Sequence, residues 1–133
     1  MKRFLLSIFL VAVSAIFVFA QKGNTYPVVV SFQSICCGVP DNKPVMDLIK
    51  SFKKKNRIKR IAVDNIGPMG KEGEYYLAFR LKEMSKAQKV KFIQQLKEIA
   101  PAMKDQGSAK IIENITLDKS SLYPRASLTT MVL

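Results

Sequence analysis

Two adjacent cysteines, Cys36 and Cys37, are the residues of this sequence with the clearest capacity for chemistry. They are the only cysteines of the chain, and they stand within residues 34–40, Ser-Ile-Cys-Cys-Gly-Val-Pro. Neighbouring side chains of a regular strand point to opposite faces, whereas a turn at Gly38 would bring both sulfur atoms to one side. Four states then remain open: two buried thiols packed as small apolar groups, a disulfide between neighbours, a soft-metal site, or a disulfide to a second chain.

The residue types of the chain restrict its chemistry further. Two thiolates in one loop suit soft cations, so Cys36 and Cys37 would take Cu(I) or Zn(II) as their metal. The chain has no histidine, which excludes triads, dyads and metal sites that depend on one. No carboxylate pair or nucleophile has a visible activating partner. We therefore expect a binding protein, not an enzyme, with no cofactor other than such a metal.

A run of basic residues is the second candidate site. Seven positive charges fall within eleven positions, and no acidic residue interrupts them. They are Lys50, Lys53, Lys54, Lys55, Arg57, Lys59 and Arg60. With a net charge of +12, such a run favours an acidic envelope protein or an anionic surface, either lipid headgroups or acidic glycans. The alternative is a solvated helix end that serves only solubility.

The N-terminal twenty residues are typical of an export signal. Lys2 and Arg3 precede an apolar run over residues 4–19, and Val18-Phe19-Ala20 offers a processing site. This pattern predicts a signal peptide over residues 1–20, cut after Ala20, and a periplasmic or extracellular protein. An uncleaved membrane anchor is the alternative. Export disfavours nucleic acid as a partner, while the oligomeric state is left open by the sequence.

Hydrophobic periodicity divides the rest of the chain into short elements. We expect residues 21–25 to be loose and residues 118–133 to form a tail or an edge strand. Alternation and helical spacing predict strands over 26–35, 58–65, 74–82 and 110–117, and helices over 45–55 and from a Ser85–Gln88 capping box to about Pro101. The second helix is expected to face inward through Val90, Ile93, Leu96 and Met103. The fourth strand is expected to face one side through Ile111, Ile115 and Leu117.

The β-α-β-β-α-β order predicts a ferredoxin-like α+β sandwich over residues 26–117. Its four antiparallel strands would carry both helices on one face, with an extra C-terminal edge strand as an option. The sheet would then be covered on one side and exposed on the other.

This order resembles the heavy-metal-associated domain, whose metal loop lies between the first strand and the first helix. Cys36 and Cys37 occupy that place, ahead of the helix over residues 45–55. The resemblance extends over residues 26–117 in topology, and it implies soft-metal binding by these two cysteines. The family spaces its cysteines as Cys-x-x-Cys, whereas here they are adjacent.

Taken together, these patterns predict a small exported, non-enzymatic binding module of the cell envelope with a basic surface. The alternative is a thiol-dependent protein that binds a soft metal or senses redox state through Cys36 and Cys37.

Overall fold

The computed structural model describes residues 23–118 and 126–133. The predicted signal peptide, with its cleavage site after Ala20, lies outside these residues. The elements are β1 (Asn24–Ser34), α1 (Lys43–Asn56), β2 (Ala62–Gly67), β3 (Tyr75–Phe79), α2 (Lys86–Ile99), a short 3₁₀ helix (Ala100–Ala102), β4 (Gly107–Leu117) and β5 (Ser127–Val132). Asn24 and Thr25, expected in a loose segment, belong to β1.

The described residues form an α+β fold with one five-stranded antiparallel sheet and two helices. The strand order is β4-β1-β3-β2-β5, and every neighbouring pair is antiparallel. The expectation of four strands is corrected to five, because β5 pairs with β2 along its whole length. β5 lies in the segment where an extra edge strand was expected. β1 and β2 both flank β3 and therefore run in the same direction, joined through α1.

The first face of the sheet carries both helices and the main core. α1 buries Val45, Ile49 and Phe52 at helical spacing, as its apolar stripe predicts. The ring of Phe92 on α2 lies edge-on to Phe52 and Phe79, with centroids 5.1 and 5.4 Å away. Edge-to-face aromatic pairs at these distances add to the gain from burial. This aromatic group fixes both helices against the sheet.

Local sequence signals determine where the two helices begin. The predicted capping box of α2 is confirmed: Ser85 Oγ accepts from the Gln88 N–H, and Gln88 Oε1 accepts from the Ser85 N–H. At the start of α1, the N-cap residue Asn42 makes no side-chain capping bond. Asp41 Oδ1 instead accepts from the Lys43 N–H at 3.0 Å.

The inner stripe predicted for α2 is partly wrong. Val90 is 68% exposed, whereas Phe92, absent from the predicted stripe, is fully buried. Leu96 and Met103 are buried and Ile93 is partly buried. Val90 lies two residues, or about 200° around the helix, from Phe92. The helix cannot bury both, and the larger aromatic ring takes the inward position because its burial is worth more.

β4 changes face along its length, which corrects the prediction that Ile111, Ile115 and Leu117 share one side. Ile111 packs against the main core, but Ile115 and Leu117 pack on the second face of the sheet. Between them Asn114 has a φ of 52°, a left-handed conformation that asparagine tolerates better than most residues. Because Asn114 leaves the strand conformation, the side chains after it lie on the opposite face from the one that strict alternation predicts.

β1 is interrupted at Pro27, opposite Asn114, so both strands bend at the same place. Pro27 has no N–H, and the register of β1 with β4 contains no pair between Pro27 and Asn114. Beyond it, residues 24–27 and 114–117 form what we call the turned-in end, which lies over the second face. Tyr26 from this end is 1% exposed. It joins a second apolar cluster whose buried members also include Val29, Ile66 and Ala78. The expectation that this face is simply exposed is therefore wrong.

The contrast between Phe92 and Val90 predicts the stability of two variants. Phe92→Ala removes a ring from the centre of the main core and should lower the free energy of unfolding by ~3–5 kcal/mol. Val90→Ala removes an exposed side chain and should change it by about 0.5 kcal/mol or less. Urea unfolding followed by circular dichroism measures both. Equal losses in the two variants would show that α2 is rotated from the orientation described.

Candidate functional site

Cys36 and Cys37 lie in the bend between β1 and α1, and both side chains are exposed. They are joined to each other by a disulfide bond. Of the four states that the sequence left open, the structure has the disulfide between neighbours. The interpretation that each thiol packs in the interior as a small apolar group is wrong, because the loop carries both residues to the surface.

The backbone of the cysteine loop has the turn that the sequence suggested. Cys37 has a φ of 65° and Gly38 a φ of 129°, so the chain leaves the strand conformation at this point. The N–H groups of Ile35 and Cys36 both donate to the carbonyl oxygen of Gln106, at 3.3 and 3.5 Å. A Cβ on Gly38 would lie 2.7 Å from Gln106 Oε1. The conformation is what requires glycine here, because Gln106 Oε1 is the end of a flexible side chain that can move away from a Cβ.

The soft-metal prediction for Cys36 and Cys37 requires reduced thiols, whereas the structure has a disulfide at this position. Sulfur atoms bonded to each other have no thiolate to offer, and the thiolate is the form that ligates a metal. Within residues 23–118 and 126–133, no group of three or more Cys, Asp and Glu side chains is placed to hold a metal ion. Binding of Cu(I) or Zn(II) stays a prediction for the reduced pair.

The predicted anion-binding residues occupy one end of the molecule. Lys50, Lys53, Lys54 and Lys55 lie on the last two turns of α1, and Arg57, Lys59 and Arg60 lead from the helix into β2. We call these seven residues the basic end. Six are exposed and Lys53 is half-buried. The helix closes with Arg57 in a left-handed conformation, and the lysines of the last turn suit the negative end of the helix dipole.

The charges of the basic end are nearly uncompensated. Of the seven cations of the basic end, Arg60 alone forms an ion pair with another described residue, Glu83, at 3.1 Å. An apolar cleft of about 310 Å³ adjoins Lys50 and Lys53, and its walls are Met46, Ile49 and Leu133. An anionic group bound by these lysines would therefore have an apolar surface beside it.

Asp64 is a charged residue that is fully buried on the second face, and no sequence pattern indicated its role. Its Oδ2 accepts from the Tyr26 hydroxyl at 2.6 Å and from Arg80 Nε and Nη2 at 2.9 and 2.7 Å. Its Oδ1 accepts from the Thr130 hydroxyl at 2.7 Å. These donors come from β1, the end of β3 and β5. The sequence around Asp64 does not indicate these partners, because they lie 16 to 66 residues away along the chain.

The hydrogen bonds around Asp64 control its titration and that of Tyr26. Burial raises the pKa of Asp64, but the bonds from Thr130, Tyr26 and Arg80 together outweigh it and lower the pKa below the ordinary value. Burial, followed by the bond to Asp64, raises the pKa of Tyr26 to about 12. Every donor meets an acceptor in this group. We therefore assign it a structural role, holding the turned-in end and β5 to the centre of the sheet.

No family model matches this chain, and the searches of curated proteins and of solved structures also gave no match. Within the described ranges, no helix combines the length and apolar character needed to cross a membrane.

The raised pKa of Tyr26 predicts a loss of stability at alkaline pH. Between pH 10 and about 12, Tyr26 keeps its proton in the folded protein, whereas an unfolded chain loses it. The unfolded state then binds fewer protons, so the free energy of unfolding falls as pH rises through this window. Tyr26→Phe should be less stable at pH 7, by ~1.5–3 kcal/mol, and should lose less stability between pH 10 and 12.

Urea titrations at pH 7, 10 and 12 measure this difference. Tyr76→Phe is the matched control, since it removes a hydroxyl from the same face of the sheet without touching Asp64. Parallel losses in the wild type and in Tyr26→Phe above pH 10 would contradict the assignment.

Proposed function

We propose that this protein is a small exported, non-enzymatic binding module of the cell envelope, which docks on anionic phospholipid headgroups through its basic end. The observation that carries the proposal is the set of uncompensated charges: of seven cationic side chains in the basic end, only Arg60 has an ionic partner among the described residues. Lipid is preferred over acidic glycan because of the apolar cleft beside Lys50 and Lys53. That cleft would receive an apolar group adjoining the headgroup.

The magnitude of the interaction depends on several charges acting together. A lysine or arginine close to an anionic membrane surface contributes about 1 kcal/mol, and the contribution falls off within a Debye length of ~10 Å at 0.1 M salt. One cation is therefore insufficient, whereas six in one region give useful affinity. These cations lie at the end of α1 and in the segment that leads into β2, so they share one end of the molecule.

The fold proposed for this module is ferredoxin-like. In its support, the strands and α-helices from β1 to β4 follow the β-α-β-β-α-β order, and β5 adds to the edge formed by β2. A fold of this kind is compatible with many activities. The proposal for function therefore depends on the basic end and not on the topology.

Charge reversal tests the docking surface. The triple variant Lys53→Glu, Lys54→Glu, Lys55→Glu should bind vesicles containing phosphatidylglycerol at least ~10-fold more weakly, since three contributions of about 1 kcal/mol are lost. Co-sedimentation with vesicles at several salt concentrations measures this change. Wild-type binding should weaken steeply as salt increases and should be absent with phosphatidylcholine vesicles.

A second triple variant, Lys71→Glu, Lys104→Glu, Lys110→Glu, is the matched control. It changes the net charge equally, but Lys71 and Lys104 lie in loops at the end of the sheet where β1 finishes, away from the end of α1. It should bind nearly as the wild type does. Equal weakening by both triple variants would mean that net charge alone is responsible. Binding to an acidic polysaccharide but not to vesicles would make glycan the partner.

A second candidate function, redox sensing through Cys36 and Cys37, is favoured by the exposed disulfide between them. We expect both thiols to be alkylated only after reduction, with an unchanged monomer mass, as measured by intact mass spectrometry. The double variant Cys36→Ser, Cys37→Ser should keep vesicle binding and lose any response to reductant. Alkylation without reductant would contradict the redox proposal. A metal adduct that disappears in the double variant would favour the soft-metal alternative.

A further inference from the structure

A groove lies between the second face of the sheet, the β2–β3 loop and the turned-in end. Its volume is about 800 Å³, large enough for a small organic molecule. The residues that matter for its chemistry are Ser31, Ser34, Met69, Glu74, Tyr76 and Leu117. The groove exists because the bend at Pro27 and Asn114 brings the end of β4 over the sheet. It was not predicted from the sequence.

Three oxygen atoms in this groove are buried without a hydrogen-bond partner. They are Ser31 Oγ, Ser34 Oγ and Glu74 Oε2. Ser31 as a whole is only 1% exposed. An unsatisfied buried polar group costs about 1–3 kcal/mol, and folded proteins rarely keep several of them together without a function or a bound molecule. Since a carboxylate accepts but does not donate, the missing partner of Glu74 must supply N–H or O–H donors.

The strand register places the carboxylate and the first serine on the same face. Ser31 pairs with Tyr76 and Phe32 with Tyr75, which puts Glu74 diagonally across from Ser31 on the neighbouring strand. Diagonal neighbours have Cα atoms about 7–8 Å apart, with side chains that lean within reach of each other. Ser31 and Glu74 therefore offer their oxygens on the same face of the sheet.

The loop before β3 holds the Glu74 side chain in place. The Glu74 carbonyl oxygen accepts from the Met69 N–H at 2.7 Å, which closes the loop. A Cβ on Gly70 would lie 1.5 Å from Glu74 Oε2, so the carboxylate occupies space that only glycine leaves free. The Glu74 carboxylate therefore lies against the loop at Gly70, with one oxygen hidden from solvent.

We propose that this groove binds the protonated primary amine of a small molecule with an apolar body. An ammonium group donates N–H bonds that the unpartnered oxygens of Ser31 and Glu74, which share one face of the sheet, can accept, and its charge complements Glu74. The apolar body lies against Met69, Tyr76 and Leu117. The groove is at the opposite end of the sheet from the basic end, so amine binding and membrane docking are independent of each other.

Phenethylamine is the probe, and 2-phenylethanol is its neutral counterpart of similar shape. In ¹H–¹⁵N spectra of the full protein, phenethylamine at millimolar concentration should shift the amide signals of Ser31, Ser34, Gly70 and Glu74. Glu74→Gln should weaken binding at least tenfold, because it removes the charge and keeps the shape. Glu72→Gln is the matched control: Glu72 is exposed and does not line the groove, and its variant should bind as the wild type does.

Ser31→Ala and Gly70→Ala provide further tests should Glu74→Gln fail to give a folded spectrum. The first removes one acceptor, and the second displaces the carboxylate. Both should weaken phenethylamine binding. The proposal is overturned by equal binding of phenethylamine and 2-phenylethanol, by unchanged binding in the folded Glu74 and Ser31 variants, or by the absence of shifts in the groove at millimolar probe.

Discussion

The carboxylate of Asp64 is the constraint on which the second face of this protein depends. It is fully buried, and its partners come from β1, β5 and the residue after β3. A charge in such a position is stable only when each lone pair is matched, and removal of one partner of a buried ion pair typically costs ~3–5 kcal/mol. The bond from Tyr26 is the one that holds the turned-in end over the sheet. This bond adds to the apolar packing of the second cluster and to the backbone pairing of β1 with β4.

The basic end and the groove offer two different electrostatic environments at opposite ends of the sheet. The basic end presents exposed cations in solvent, where attraction is long-ranged but screened by salt. Glu74 instead lies in a groove where one oxygen is hidden from solvent, so that its contacts are short-ranged and depend on shape. These two environments suit different ligands: a surface with many charges for the first, and a single small cation for the second. The fold alone, which many proteins share, does not indicate which ligand either environment suits.

The elements of the fold were largely predictable because their signals are local. The capping box at Ser85 and the apolar stripe of α1 each lie within a few consecutive residues, and each is confirmed by the structure. The errors arose where tertiary contacts decide. Val90 and Phe92 are both apolar, and only the rings of Phe52 and Phe79 determine which of them faces inward. The change of face at Asn114 depends on one backbone angle, which the apolar pattern of β4 does not reveal.

The candidate sites were predictable to a different degree. The basic run and the cysteine pair are visible because their residues are adjacent in the sequence. Asp64, Glu74 and Ser31 gave no signal, since their importance comes from partners on other strands or from the lack of one.

The position of β1 in the sheet determines the order in which the chain can fold. β1 lies between β3 and β4, and its first residue, Asn24, pairs with Leu117. Most of its hydrogen bonds to β4 therefore close loops of more than seventy residues, which have a high entropic cost and slow the folding of such topologies. Until residues 107–117 are available, β1 has one unpaired edge. A nascent or truncated chain that ends before β4 would present that edge to other chains, which is the circumstance in which strands associate wrongly.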